Sequence, residues 1–243
     1  MAYIQETCIS GKVLEVTKYH DWLHGRRSGR SRVAKTNKTT EQMANINRKN
    51  AEKKLRRKIN TGCRPGDYHL VLTYAGDAPE AKQAEKELKN YLKRLKRLYE
   101  KYGHELRWIA VTEYKSKRIH HHLVINQGPS LLEITGKWNL GRPKVTVLDA
   151  TGQYSELAAY LIKQTDQTFR DPDAPQNKRY TCSRNWPKPK ITKKVIKRER
   201  WVKQPKPWKG FYLEKEKTVE DINADGYPYQ FYSMVQLGTR KKE

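Results

Sequence analysis

The amino-acid sequence predicts an α+β fold, an antiparallel sheet with helices packed on one side. Three observations carry this reading. Short runs rich in β-branched and aromatic residues alternate with long stretches of helical spacing. Gly62 and Gly103 stand where the two longest helical stretches end. Two apolar runs between Arg107 and Asn126, joined by a short polar segment, read as a hairpin.

Taken in order, Gly11 to Thr17 alternates apolar and polar residues and predicts a strand. Arg26 to Lys38 is rich in Arg, Lys, Ser and Asn and predicts a mobile basic segment. Thr40 caps a helix reaching about Asn60, mostly charged, with sparse apolar contacts at Ile46, Leu55 and Ile59. Tyr68 to Tyr74 is a buried strand. From Pro79-Glu80 to Tyr102, the positions Ala84, Leu88, Tyr91, Leu95 and Leu98 mark one face of a long helix. After the hairpin come a short helix (131–138), a fourth strand (144–148) and a helix (154–165). The β-α-β-β-α-β order is the split-βαβ, ferredoxin-like arrangement, which leaves one sheet face for a ligand. Three segments result: a basic N-terminal extension with a helix (1–66), the compact domain (67–170) and a basic C-terminal region containing Trp and Pro (171–243), where further strands are expected.

The chain has 243 residues, 51 Lys and Arg against 26 Asp and Glu, and a formal charge of +25. So large a charge opposes compaction and calls for a polyanionic partner. Nucleic acid fits, because cations at phosphates release counterions. No apolar run is long enough to span a bilayer and no signal-peptide pattern opens the chain. Cys8, Cys63 and Cys182 form neither a paired framework nor a clustered zinc signature, which points to a reducing, cytoplasmic location.

Chemistry concentrates in the hairpin. Strand alternation puts His120 and His122 on one face and His121 on the other. A two-residue reversal at Ser116-Lys117 sets Glu113 opposite His120. One carboxylate and two imidazoles then converge, a donor set that accepts Mn²⁺, Mg²⁺ or Zn²⁺ with open positions left over. His121 is expected to be packed or hydrogen-bonded. Downstream, Tyr160 and Lys163 share a helix face. A tyrosine hydroxyl is a weak nucleophile unless assisted, and an ion that polarises a phosphate assists it. Tyr154, six residues earlier, lies off that face.

This ordered set resembles the replication initiators of the HUH endonuclease superfamily, closest to rolling-circle initiators of bacterial phages, plasmids and integrative elements. Leu70 to Tyr74 resembles the family's first motif. His120 and His122 match its metal-binding pair, Glu113 its third ligand, Tyr160 its nucleophile and Lys163 the accompanying lysine. His121 departs from the bulky apolar residue usual between the two histidines. The likeness covers about residues 45 to 170. It implies a metal-dependent, sequence-specific single-stranded DNA nickase and joining enzyme. Such an enzyme uses one divalent ion, Mn²⁺ or Mg²⁺, and forms a 5′-phosphotyrosine intermediate. The implied partners are single-stranded DNA in an origin hairpin, with a host helicase and polymerase. A relaxase or transposase of the same superfamily, a catalytically inactive DNA-binding protein and an RNA-binding protein are the alternatives. DNA contacts are expected from Arg26, Arg27, Arg30 and Arg32 in the N-terminal segment. The first helix adds Arg48, Lys49, Lys53, Arg56 and Arg57, and the hairpin adds Arg118. In the Trp-Pro-Lys-Pro stretch they come from Trp186 and Lys188. Trp186, Trp201 and Trp208 either stack bases or pack an accessory sheet.

Overall fold

The structure is a computed structural model that describes residues 2–21, 41–77, 79–114, 118–169, 178–197, 203–222 and 227–238. The Ser116-Lys117 turn, the Arg26 to Lys38 segment and Trp201 lie outside the described residues. In chain order the elements are β1 (Ala2–Ser10), β2 (Val13–Asp21), α1 (Glu41–Gly62), β3 (Tyr68–Leu72), α2 (Ala81–Lys101), β4 (Trp108–Glu113), β5 (His120–Ile125), α3 (Leu131–Gly136), β6 (Lys144–Val147), α4 (Ser155–Gln164) and α5 (Asp166–Phe169). They continue as β7 (Thr181–Cys182), β8 (Lys190–Ile196), β9 (Phe211–Leu213), β10 (Val219–Ile222) and β11 (Pro228–Gln236). This is a mixed α+β fold with two antiparallel sheets and flanking helices. Among the described residues no helix is long and apolar enough to cross a membrane.

The chain divides into two units, residues 1–44 with 188–243, and residues 45–187. In the first, β1 and β2 form a hairpin closed by Gly11-Lys12, and Gly11 sits at φ 59°, where a side chain would be strained. The sheet runs β10-β11-β2-β1-β8, with β9 also on β11. Leu14, Val16, Tyr232 and Met234 pack on one of its faces. Residues 2–21 are therefore strands paired with the C-terminal strands β8 and β11, not part of a separate N-terminal extension. β1 escaped the sequence reading because Gln5, Glu6 and Thr7 dilute its apolar pattern.

The second unit holds the sheet β6-β3-β5-β4-β7. On one face Leu70, Leu72, Leu123 and Ile125 pack against Tyr91, Leu95 and Leu98 of α2 and against Ile134 and Trp138. On the other, Ile109, Val111 and Val124 pack against Leu55 and Ile59 of α1 and Ala158, Leu161 and Ile162 of α4. Helices thus cover both faces. The expectation of helices on one side failed at α1, a charged helix with few apolar residues. Leu55 and Ile59, one turn apart, are nonetheless fully buried. Each such burial is worth roughly 1.5–3 kcal/mol, enough to dock a helix that reads as solvated.

Candidate active site

The site is assembled by the antiparallel ladder between β4 and β5. Its pairs are Val111 with His122, Thr112 with His121 and Glu113 with His120. His120 Nε2 lies 3.1 Å from Glu113 Oε2. One ligand atom from each of Glu113, His120 and His122 falls within 4.8 Å of the others, so the three are positioned to bind one divalent ion. Each histidine is held from behind. His120 Nδ1 donates to the Arg118 carbonyl at 3.0 Å, which turns Nε2 toward Glu113. His122 Nδ1 sits 3.2 Å from His69 Nε2 on the neighbouring strand β3. Ligating imidazoles are commonly oriented in this way.

The remaining nitrogen of His122 tests the fit to a metal. Its Nε2 is buried and makes no hydrogen bond among the described residues. A buried polar atom left unpaired costs about 1–3 kcal/mol, and a cation removes that cost. Burial, with smaller repulsion from His69, His120 and His121, lowers the His122 pKa to about 3. Burial lowers that of His69 to about 4. Both rings stay neutral, as metal ligation requires. Burial pushes the Glu113 carboxyl above its usual range, and His120 opposes the shift.

His121 presents the opposite case. Tyr74 Oη lies 2.8 Å from its Nε2 and Thr112 Oγ1 lies 2.8 Å from its Nδ1. Both ring nitrogens are occupied, on the α2 side of the sheet. The departure from the usual apolar residue is accommodated by buried hydrogen bonds rather than by a metal.

The helix α4 brings Tyr160 to the cluster. The Tyr160 ring stands 5.3 Å from the His122 ring, nearly perpendicular to it, and the residue is 44% exposed. Lys163 is exposed on the same helix. Tyr154 is buried, its hydroxyl donates to the Asp149 carbonyl at 2.9 Å, and its N–H donates to Asn60 Oδ1 at 2.9 Å. Burial, reinforced by Cys63, Asp149 and Asp67, pushes its pKa to about 12.

Two residues escaped the sequence reading. His69 lies in a strand with no motif to mark it, although its alternation with Val71 already put one face of that strand toward the site. Gln164 follows Lys163. With its amide nitrogen donating, Gln164 binds Glu113 Oε2 at 2.8 Å and Oε1 at 3.3 Å. It is one turn beyond Tyr160, and that spacing was the available signal.

The expected DNA-contacting residues scatter. Lys49 and Arg118 are exposed, and Lys53 and Arg56 are partly so. Arg48 Nε lies 3.8 Å from Asp166, which also accepts from Arg179 at 2.8 Å. Arg57 is only 6% exposed and belongs to the buried side of α1, so it does not offer its charge to a phosphate at the surface. Trp186 is buried against Leu55 and Ile59, and its indole N–H donates to the Lys58 carbonyl at 2.9 Å. It locks α1 onto the sheet and offers no open face to a base. Gly62 is required beneath it, since a Cβ there would run into the indole. Lys188 is exposed. Arg26, Arg27, Arg30 and Arg32 lie outside the described residues.

Residues 67–166 match the family model of the replication-associated protein ORF2, a family of rolling-circle Rep proteins. That segment spans β3 through α4 and contains every member of the cluster. It is a Rep-family domain, and with the two histidines and the glutamate it supports metal-dependent nicking of the HUH type. No curated protein and no solved structure matches the chain.

Proposed function

We propose that the chain is a sequence-specific single-stranded DNA nickase and strand-joining enzyme that starts rolling-circle replication, with Tyr160 as its nucleophile. The observation that carries this reading is the half-exposed Tyr160 ring set against His122 of the metal cluster. Glu113, His120 and His122 would hold Mn²⁺ or Mg²⁺, which supplies polarisation of the scissile phosphate and offsets developing charge. Tyr160 Oη gives up its proton and bonds to phosphorus, and the bond from phosphorus to O3′ breaks. The departing oxygen takes a proton and becomes a 3′-hydroxyl able to prime synthesis, while the 5′ end stays on the tyrosine. Reversal joins strands, because the phosphodiester energy is retained in the phosphotyrosine. Lys163 contributes a positive charge on the same helix face for the phosphate.

The substrate is an origin sequence exposed as a hairpin, and the reaction takes place in the cytoplasm, where a host helicase and polymerase extend the new end. The strand order β6-β3-β5-β4 supports a split-βαβ core for the domain. The decisive experiment incubates the full chain with a pool of single-stranded oligonucleotides and Mn²⁺, followed by a denaturing gel and peptide mapping. A covalent adduct on the peptide carrying Tyr160 is the expected result. Tight binding with no adduct at any metal concentration would leave a DNA-binding protein without catalysis.

A further inference from the structure

A cleft of about 890 Å³ lies in the same unit between the C-terminal half of α2 and the β4–β7 edge. Its lining includes Lys93, Lys96, Trp108 and Arg184, with Glu100 and Glu105 as its acids. Trp108 opens β4, which Glu113 closes. The five steps between them amount to about 17 Å along a strand, and alternation puts them on opposite faces of the sheet. The cleft is therefore separate from the metal cluster.

Three features give it a chemical character. First, Trp108 is only partly buried, packing at the edge of the α2-side core while lining the cleft. Its backbone is fixed on both sides by Ser183, whose hydroxyl accepts the Trp108 N–H at 3.2 Å and whose N–H donates to the Trp108 carbonyl at 2.9 Å. Second, Lys93, Lys96 and Arg184 are exposed around it. Third, α2 reads Lys93-Arg94-Leu95-Lys96-Arg97-Leu98-Tyr99-Glu100-Lys101, five cations and one acid, and that acid is engaged by Lys96 at 3.7 Å. Leu95, Leu98 and Tyr99 bury the opposite side of the helix, so the cationic side is the one left at the surface. A positively charged groove with a flat aromatic at its wall fits a single-stranded polynucleotide. Phosphates run along the cations and a base lies on the indole, regardless of sequence.

We propose that this cleft is a second binding site for single-stranded DNA, engaging a stretch of strand other than the one held at Tyr160. The proposal rests on the nickase reading only for the identity of the ligand. It gives the enzyme a grip on DNA that persists when the strand at the active site is exchanged.

The test uses the full chain and the variants Lys93→Glu with Lys96→Glu, and Arg184→Glu, singly and combined, all at exposed positions. Binding of a fluorescent oligo-dT is followed by anisotropy across a salt series. Cleavage in Mn²⁺ is measured on a short oligonucleotide selected from a random pool. Reversal of all three cations should weaken oligo-dT binding at least tenfold. It should also lower the slope of log affinity against log salt by about 2, at roughly 0.7 per lost phosphate contact on a single strand. Cleavage of the short substrate should stay at the wild-type rate. Photocrosslinking with a brominated-base oligonucleotide should label the peptide containing Trp108, and the label should fall in the triple variant. Unchanged affinity and slope, or crosslinks confined to peptides from α4, would overturn the site. Displacement of oligo-dT by polyglutamate at lower concentration than by unlabelled oligo-dT would reassign the cleft to an acidic protein and would also overturn it. If the wild-type chain cleaves nothing yet the slope falls as expected, the second site stands and the nickase reading fails. Cleavage with an unmoved slope means the opposite: the nickase reading stands and the second site fails.

Discussion

His121 and His122 are neighbours on one strand, 0% and 1% exposed, and burial lowers both pKa values to about 3. Their chemistry is opposite. His121 faces α2, and Tyr74 and Thr112 take up both of its nitrogens. His122 faces α4 with one nitrogen braced by His69 and the other without a hydrogen bond among the described residues. Neither burial nor a perturbed pKa distinguishes a ligand from a core residue here. The distinction lies in whether the second nitrogen has a partner. The same contrast separates the two tyrosines of the α4 region, since the Tyr154 hydroxyl is satisfied by Asp149 while Tyr160 stands half-exposed at the cluster.

The largest effect should come from breaking the tyrosine pair. Tyr160→Phe removes only a hydroxyl at a half-exposed position. Cleavage and adduct formation should fall by on the order of 10⁴-fold or more, as when a covalent nucleophile is lost, with the unfolding midpoint unmoved. Tyr154→Phe should do the converse, retaining cleavage and losing about 1 kcal/mol of stability with its buried hydrogen bond. Single-turnover cleavage beside urea unfolding of each variant reads both. An active Tyr160→Phe enzyme would sink the assignment.

Next come the two histidines. His122→Ala should abolish Mn²⁺ binding by titration calorimetry and remove cleavage while sparing most DNA affinity, which rests on distributed cations. His121→Ala should keep a measurable Mn²⁺ site. It leaves Tyr74 Oη and Thr112 Oγ1 without their histidine partner beside a small cavity, a loss of about 2–4 kcal/mol in unfolding free energy. Equal loss of metal in both variants would erase the difference between the faces.

Acid should expose the same asymmetry in the metal-free protein. The His121 pKa is about 3 in the fold against about 6.5 in the unfolded chain. Between those values the unfolded state binds the extra proton, so stability rises with pH through the window and is lost as pH falls below about 6.5. From pH 6.5 to 4.5 the loss from this residue alone is about 2–3 kcal/mol. Urea denaturation at the two pH values should show that loss in the wild-type chain and a flatter dependence in His121→Phe. Added Mn²⁺ should steepen the acid dependence by competing with protons for His120 and His122.

How much of this was legible in the residues follows from the range of each interaction. The hairpin register and the common face of Glu113, His120 and His122 depend on a two-fold repeat and a local turn, and both can be read along the chain. The long helix α2 and its end at Gly103 are equally local. The β1–β8 and β2–β11 pairings join residues some 180 to 220 positions apart, and nothing in either segment names its partner. The burial of Trp186 and Arg57 is likewise a property of the assembled sheet. A tryptophan among cations and an arginine on a basic helix both read as DNA contacts until α1 is placed on the β4–β5 face. His69 and Gln164 went unseen because each acts through a neighbour, and sequence motifs mark the residue that does chemistry more readily than the one that holds it.

The smallest effect, and the one that sharpens the comparison most, belongs to Gln164. Its amide binds the carboxylate of Glu113 from the helix that carries Tyr160, four residues and about one turn away. It therefore couples the position of the metal carboxylate to that of the nucleophile, much as His69 fixes His122. On the His121 face, Tyr74 and Thr112 satisfy a ring and tie it to no nucleophile. Gln164→Leu keeps the bulk and removes the hydrogen bond. The Mn²⁺ concentration for half-maximal cleavage should rise about tenfold, the lower end of what lost ligand support costs. Cleavage at saturating Mn²⁺ should fall less, and thermal unfolding of the metal-free chain should stay within about 0.5 kcal/mol. Gln164→Asn, one methylene shorter, cannot span the same gap and should behave like the leucine variant despite its amide. Should Gln164→Leu leave the Mn²⁺ dependence unchanged while lowering stability, the residue is packing for α4, and the link between nucleophile and metal must run through the Tyr160–His122 ring contact alone.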